Sequence, residues 1–308
     1  MVSVLISSAR RRVVSAVLLA GVVAGCGGNG SGAGSGDLEV VASFYPLAEA
    51  AERVAGDRAT VSNLTPAGSE PHDLELATDQ VEDLEDADLV VVLGRGFQPA
   101  VEQVAERREG PTLELLRELP VPAEGDVAEE GAEGLDPHVW LDPMMMASIV
   151  EEVAASLEAL DPEGAELYAA NAVAYRAELE ELGGRYEAAL SGCRRSTIVV
   201  AHEAFGWLTA RYDLTQEGVA GLSPEAEPSP ARLAELSDLV TELGITTVFT
   251  ESLVSPRVAE ALAREAGVEV AVLDPIEGIS EERLADGAGY TSVMEENLEV
   301  LTEALGCA

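Results

Sequence analysis

The stretch Leu89-Val90-Val91-Val92-Leu93 offers no polar face, and this restricts the possible folds more than any other feature of the chain. A strand that is apolar on both sides has to be covered on both sides, as it is in a parallel sheet packed between helices. The flanking sequence keeps the matching rhythm. Strand patterns at Leu38 to Phe44, Ala59 to Leu64, Asp88 to Leu93 and Thr112 to Leu116 alternate with helical patterns near Pro46 to Ala55, Thr78 to Asp86 and Phe97 to Arg107. The rhythm returns in strands Ser196 to Ala201, Thr215 to Val219, Thr246 to Phe249 and Val268 to Leu273, with helices Ala204 to Tyr212, Pro230 to Leu243, Pro256 to Ala266 and Ser292 to Leu305. Between the two sets lie helix Met144 to Leu160, the break Asp161-Pro162-Glu163, and one helix from Ala165 to Leu190. At 1.5 Å per residue this last helix is ~39 Å long, and it is expected to act as a spacer joining two α/β sheets. The halves share no convincing sequence repeat, and neither carries a GxGxxG or phosphate-loop string.

The chain opens with Arg10-Arg11-Arg12, an apolar run from Val13 to Val23 and the small-residue end Val23-Ala24-Gly25-Cys26, in the order of a secretory signal cleaved before Cys26. The run is too short for a helix that crosses a ~30 Å bilayer. The Val-Ala-Gly-Cys end resembles a bacterial lipobox, which implies a lipid thioether on Cys26, and residues 26–36 read as a flexible Gly/Ser/Asn tether. An ordinary signal peptide with an incidental cysteine is the other reading. The expected organisation is therefore 1–25 signal, 26–36 tether, 37–143 N-terminal α/β lobe, 144–192 helical segment and 193–308 C-terminal α/β lobe.

Formal charge is −39, which excludes nucleic acid as a partner. All 18 basic residues are Arg, which fits compositional bias rather than chemistry. With Cys26 committed to lipid, Cys193 and Cys307 remain in a disulfide-permissive compartment, so either a bridge or two buried thiols is expected. Residues 120 to 135 hold Pro, Gly, Ala and acid with little to bury, and they read as a loop leading into His138.

The chain has only three histidines, and each stands where a ligand can be met. His138 lies in Asp136-Pro137-His138-Val139-Trp140-Leu141-Asp142-Pro143, where two Asp-Pro pairs suggest a stiff, extended arm. A buried turn, with His138 capping a carbonyl and Trp140 filling core, is the alternative for that segment. His202 ends the run Ile198-Val199-Val200-Ala201, Glu251 ends Val248-Phe249-Thr250, and Asp274 ends Val270-Ala271-Val272-Leu273. Strand C-termini line the ligand crevice of open α/β sheets, so these three groups are expected to face one cleft. His72 leaves the first sheet in the same sense, within Gly68-Ser69-Glu70-Pro71-His72-Asp73. Taken singly, each is equally a satisfied core histidine or a helix-capping carboxylate. Three imidazoles with one carboxylate suit four-coordinate Zn(II), whereas Ca(II) and Mg(II) want all-oxygen shells.

These strings, Gly68 to Glu75, Asp136 to Pro143, Ala201-His202-Glu203-Ala204-Phe205-Gly206-Trp207, and Phe249-Thr250-Glu251 followed by Leu273-Asp274-Pro275, resemble the zinc/manganese-type solute-binding lipoproteins of bacterial ABC importers. The resemblance spans Leu38 to the C-terminus. It implies two Rossmann-like lobes joined by a rigid backbone helix, with the metal held in the interlobe cleft by His72, His138, His202 and Asp274. Glu251 and Glu70 are then supporting or alternative ligands. It implies Zn(II) as the transported ligand, with Mn(II) second, because manganese members carry a carboxylate where this chain has His202. It further implies a monomer, lipid-anchored outside the cytoplasmic membrane, that serves an ABC permease and has no enzymatic activity. The chain departs from the pattern in two places. Its acidic loop lacks histidine, and Pro71 rather than Glu precedes His72, which leaves Asp274 or a water as the fourth ligand. The rival readings are a secreted zinc hydrolase with Glu251 or Glu203 as base, or an adhesin or zinc chaperone of the same fold.

Overall fold

The computed structural model describes residues 38–121, 135–224 and 226–307. Cys26, the 26–36 tether and most of the acidic loop between 121 and 135 lie outside the described residues. Among those described, no helix is long and apolar enough to cross a membrane.

The first half contains β1 (Leu38–Ala42), α1 (Tyr45–Ala55), β2 (Ala59–Asn63), α2 (Thr78–Asp86), β3 (Leu89–Val92), α3 (Pro99–Ala105), β4 (Thr112–Glu114) and α4 (Leu115–Glu118). Two long helices follow, α5 (Pro143–Leu160) and α6 (Ala165–Leu190). The second half contains β5 (Thr197–Val200), α7 (Gly206–Arg211), β6 (Thr215–Gly218), α8 (Pro230–Leu243), β7 (Thr247–Thr250), α9 (Arg257–Ala266), β8 (Glu269–Val272), α10 (Glu281–Ala285) and α11 (Tyr290–Leu305). All strand pairs are parallel, in the orders β2-β1-β3-β4 and β6-β5-β7-β8. The two halves therefore repeat one topology that their sequences do not display. In each, winding reverses beside the first strand, which opens a crevice at the strand C-termini. The strand expected to run to Leu116 ends at Glu114, where the chain turns into α4, and α10 was not anticipated.

The long helix α6 is more than a spacer. Tyr168, Ala172, Tyr175, Leu179, Leu182, Tyr186 and Leu190 are buried, and their spacing lays an apolar stripe along the whole helix. That stripe packs against α5, against α1 of the first lobe and against α11 of the second. Tyr175 donates to Glu49 Oε1 on α1 at 3.1 Å, and Tyr186 donates to the Met294 carbonyl on α11 at 2.6 Å. One apolar core accordingly runs through Phe44, Trp140, Tyr175, Phe205 and Tyr290, and smaller clusters fill the outer faces of the two sheets. Cys193 and Cys307 are bonded to each other, which ties the entry of β5 to the end of α11.

Candidate metal centre

Each histidine is delivered by a different piece of backbone. His202 follows β5 and is fully buried; its backbone N–H and its Nδ1 both meet Glu251 Oε1, at 3.1 and 2.7 Å. Because β5 and β7 are neighbours, Glu251 at the end of β7 reaches His202 directly. His138 is not on the extended arm expected from its flanking prolines. Asp136 Oδ1 accepts from the His138 backbone N–H at 3.0 Å and lies 2.7 Å from His138 Nδ1, and the chain then makes a single 3-10 turn over Val139–Leu141. Asp142 closes that turn by accepting from Met144 N at 2.9 Å, which caps α5. His72 comes from the loop after β2; its ring meets Phe97 edge-on at 4.6 Å, and its backbone N–H donates to Glu70 at 3.1 Å.

The three Nε2 atoms converge on one carboxylate oxygen, Glu277 Oε1, at 3.2 Å from His72, 3.2 Å from His138 and 3.3 Å from His202. His138 Nε2 and His202 Nε2 are themselves 3.3 Å apart. An ion with tetrahedral bonds of ~2.0–2.1 Å separates its donors by ~3.3–3.4 Å, so these four spacings match edges of a zinc tetrahedron. All four ligand atoms lie within 4.8 Å of one another.

Electrostatics follow from this packing. Burial lowers the basicity of His202, but its bonds to Glu251 and Glu277 outweigh burial and raise its pKa to about 10. His138 is raised in the same way, with Asp136 and Glu277 overcoming burial. Burial disfavours the Glu277 carboxylate, yet the three imidazoles hold it well below the usual carboxylate range. The Nδ1 partners Asp136 and Glu251 hold the two rings with Nε2 facing inward, and they add negative charge behind the donors.

The structure thus brings His72, His138 and His202 together, but the carboxylate among them is Glu277 and not Asp274. Asp274 is engaged elsewhere, accepting from Ile276 N at 2.8 Å and from Arg283 Nη1 at 3.1 Å. Glu251 stands behind His202 and outside the four-donor group. Glu70 is also outside it, and burial together with the nearby Glu277 charge pushes its carboxyl up to about 8. The sequence reading missed Glu277. The available signal was an isolated acid between Ile276 and Gly278-Ile279, just past the end of a strand.

Two parallel-sheet lobes, linked by packed helices and meeting over a group of three histidines and one glutamate that is buried except at His72, define a two-lobed metal-binding protein. The chain belongs to the family described as zinc-uptake complex component A, periplasmic (ZnuA), whose model matches residues 40–304. It is 37% identical over 286 residues to zinc-binding protein AdcA of Streptococcus pyogenes serotype M6, a match covering 86% of this chain and 56% of that protein. It therefore spans about half the length of that relative. Over 310 residues it is 32% identical to the high-affinity zinc uptake system protein ZnuA of Bacillus subtilis strain 168, covering 95% of this chain and 96% of the other. Among solved structures it is similar to the Zn(II)-bound ZnuA-like domain of Streptococcus pneumoniae AdcA. The TM-score is 0.74 at 37% identity, over 88% of this chain and 99% of that one.

Proposed function

We propose that this chain is an extracytoplasmic receptor that captures Zn(II) between its two lobes and hands it to an ABC permease for import, without catalysing a reaction. The observation that carries the reading is the convergence of three Nε2 atoms on Glu277 Oε1, each at a distance that matches an edge of a zinc tetrahedron. Family membership and the similarity to zinc-uptake proteins support it. So does the donor set, because three nitrogens favour Zn(II) over Mn(II), in line with the Irving–Williams order. A hydrolase would need an open coordination position for water, and the presence of four protein donors, enough to complete a tetrahedral shell, supports the receptor reading instead.

The ligands in this reading are His72, His138, His202 and Glu277, with Asp136 and Glu251 orienting the rings. The chain acts as a monomer anchored through lipidated Cys26, and membrane fractionation of the Cys26→Ser variant should release it. Metal analysis of the purified protein, followed by chelator competition with Zn(II) and Mn(II), tests the core of the proposal. One tightly held zinc per chain and weaker manganese are expected. Equal affinity for both ions, or no bound metal, would refute it.

A further inference from the structure

Glu277 stands on a strained piece of backbone. Ile276, the residue before it, has φ of 55°, a left-handed conformation that a β-branched residue adopts only when its surroundings impose it. Asp274 supplies the local constraint, since its Oδ1 accepts the Ile276 N–H at 2.8 Å and bends the chain into a tight Asx-type turn. Asp274 is itself held on three sides. Its backbone N–H donates to Asn297 Oδ1 at 2.9 Å, its carbonyl accepts from Asn297 Nδ2 at 2.7 Å, and its Oδ2 accepts from Arg283 Nη1 at 3.1 Å. Asp274 and Asn297 are both buried, so the two bonds between them are shielded from water.

We infer that Asp274, locked by Asn297 and Arg283, is a positioning residue that holds the Ile276 turn and thereby presents Glu277 to the three histidines as the fourth donor. The inference rests on the zinc-receptor reading. It assigns Asp274 a task distinct from metal ligation: without the Asx bond the Ile276 strain is no longer opposed, and Glu277 loses its aim while the histidines keep theirs. Partners that orient a metal ligand in this way are worth ~10–100-fold in metal affinity.

The experiment is a double-mutant cycle on the purified chain, reading zinc affinity by chelator competition for wild type, Asp274→Ala, Glu277→Gln and the double variant. Asp274→Ala should weaken zinc by ~10-fold or more in the wild-type background and by less than about twofold when Glu277 is already Gln. Asp274→Asn keeps an oxygen for the Ile276 N–H but turns an amide NH2 toward Arg283 Nη1, so it is made in the Arg283→Ala background, where it should stay within a few-fold of Arg283→Ala alone. Cobalt(II) absorption gives a readout that a purely structural role would not move, because Asp274→Ala should shift the ligand-field bands toward those of Glu277→Gln. The same weakening of zinc in both backgrounds would overturn the inference alone, since Asp274 would then act independently of Glu277. Asp274→Asn weakening zinc in the Arg283→Ala background as much as Glu277→Gln does in the wild type would also overturn it, and this arm decides the matter if the Asp274→Ala variant does not fold. Failure of wild type to bind zinc would instead overturn the receptor reading, and the inference with it.

Discussion

Trp140 Nε1 donates to the Pro275 carbonyl at 2.8 Å, so the arm that carries His138 is bonded across the lobe boundary to the loop that carries Glu277. The Trp140 carbonyl in turn accepts from Tyr290 OH at 2.6 Å, and Tyr290 N–H donates to Glu49 on α1 at 2.8 Å. Hydrogen bonds between protein groups thus cross-link the metal-site loops.

Trp140→Phe should show what that link is worth. Phe preserves part of the edge-to-face packing on Phe44 and Phe97 but leaves the Pro275 carbonyl buried without a donor, at a cost of about 1–3 kcal/mol. Urea unfolding of the metal-free protein should report that loss, accompanied by weaker zinc binding. An unchanged midpoint and unchanged affinity would show that the bond contributes nothing.

The dependence on pH has two opposite signs. His202, raised to about 10, stabilises the metal-free fold fully below ~6.5, the value of an unperturbed imidazole, and loses that contribution as pH climbs through about 10. Zinc requires the neutral ring, so its affinity should keep rising with pH through the neutral range instead of levelling off just above ~6.5, as free histidines would dictate. Calorimetry near neutral pH in buffers of different ionisation enthalpy should detect protons released on zinc binding. The absence of any release would show that the rings are already neutral.

His202→Glu tests selectivity. It exchanges a nitrogen donor for a second carboxylate, which should narrow the preference for Zn(II) over Mn(II). It also sets a carboxylate against Glu251, now 2.7 Å from His202 Nδ1, so the metal-free variant should be less stable at neutral pH than at acid pH. Competition titrations with both ions decide the first part; an unaltered ratio would remove His202 from the ligand set.

The Cys193–Cys307 bond closes a sequence separation of 114 residues. Loop-closure entropy assigns such a bridge about 4–5 kcal/mol, so Cys193→Ser with Cys307→Ser should lower stability by roughly that amount. Zinc affinity should change little, because neither cysteine belongs to the four-donor group. Unfolding curves with and without reductant provide the check.

What the sequence disclosed follows from how local each signal is. The limits of α2, α6 and α8 were legible because their determinants lie within the helices and their caps, as in Ser229, which accepts from Arg232 N ahead of Pro230. His202 was legible because it directly follows β5 at the crevice, and His72 because its loop leaves β2 at the same end of the first sheet. The 136–143 arm was misread because Asp136 and Asp142 each accept a backbone N–H two residues on and turn a chain whose prolines suggested extension. Glu277 was hidden for a related reason. It follows an Asx turn in which Asp274 Oδ1 accepts the Ile276 N–H, and Asp274 is itself held by Asn297 and Arg283 through long-range bonds that no local pattern encodes.

The four donors divide evenly, with His72 and His138 from the first lobe and His202 and Glu277 from the second. Either pair alone is a two-toothed chelator, and its grip on a metal in water would be modest. The continuous core and the packed α6 keep the second pair beside the first, so half-binding the ion makes the other half an intramolecular event at high effective concentration. On the zinc-receptor reading proposed above, release would then require only that one pair of donors be drawn away, leaving a two-toothed site of modest affinity.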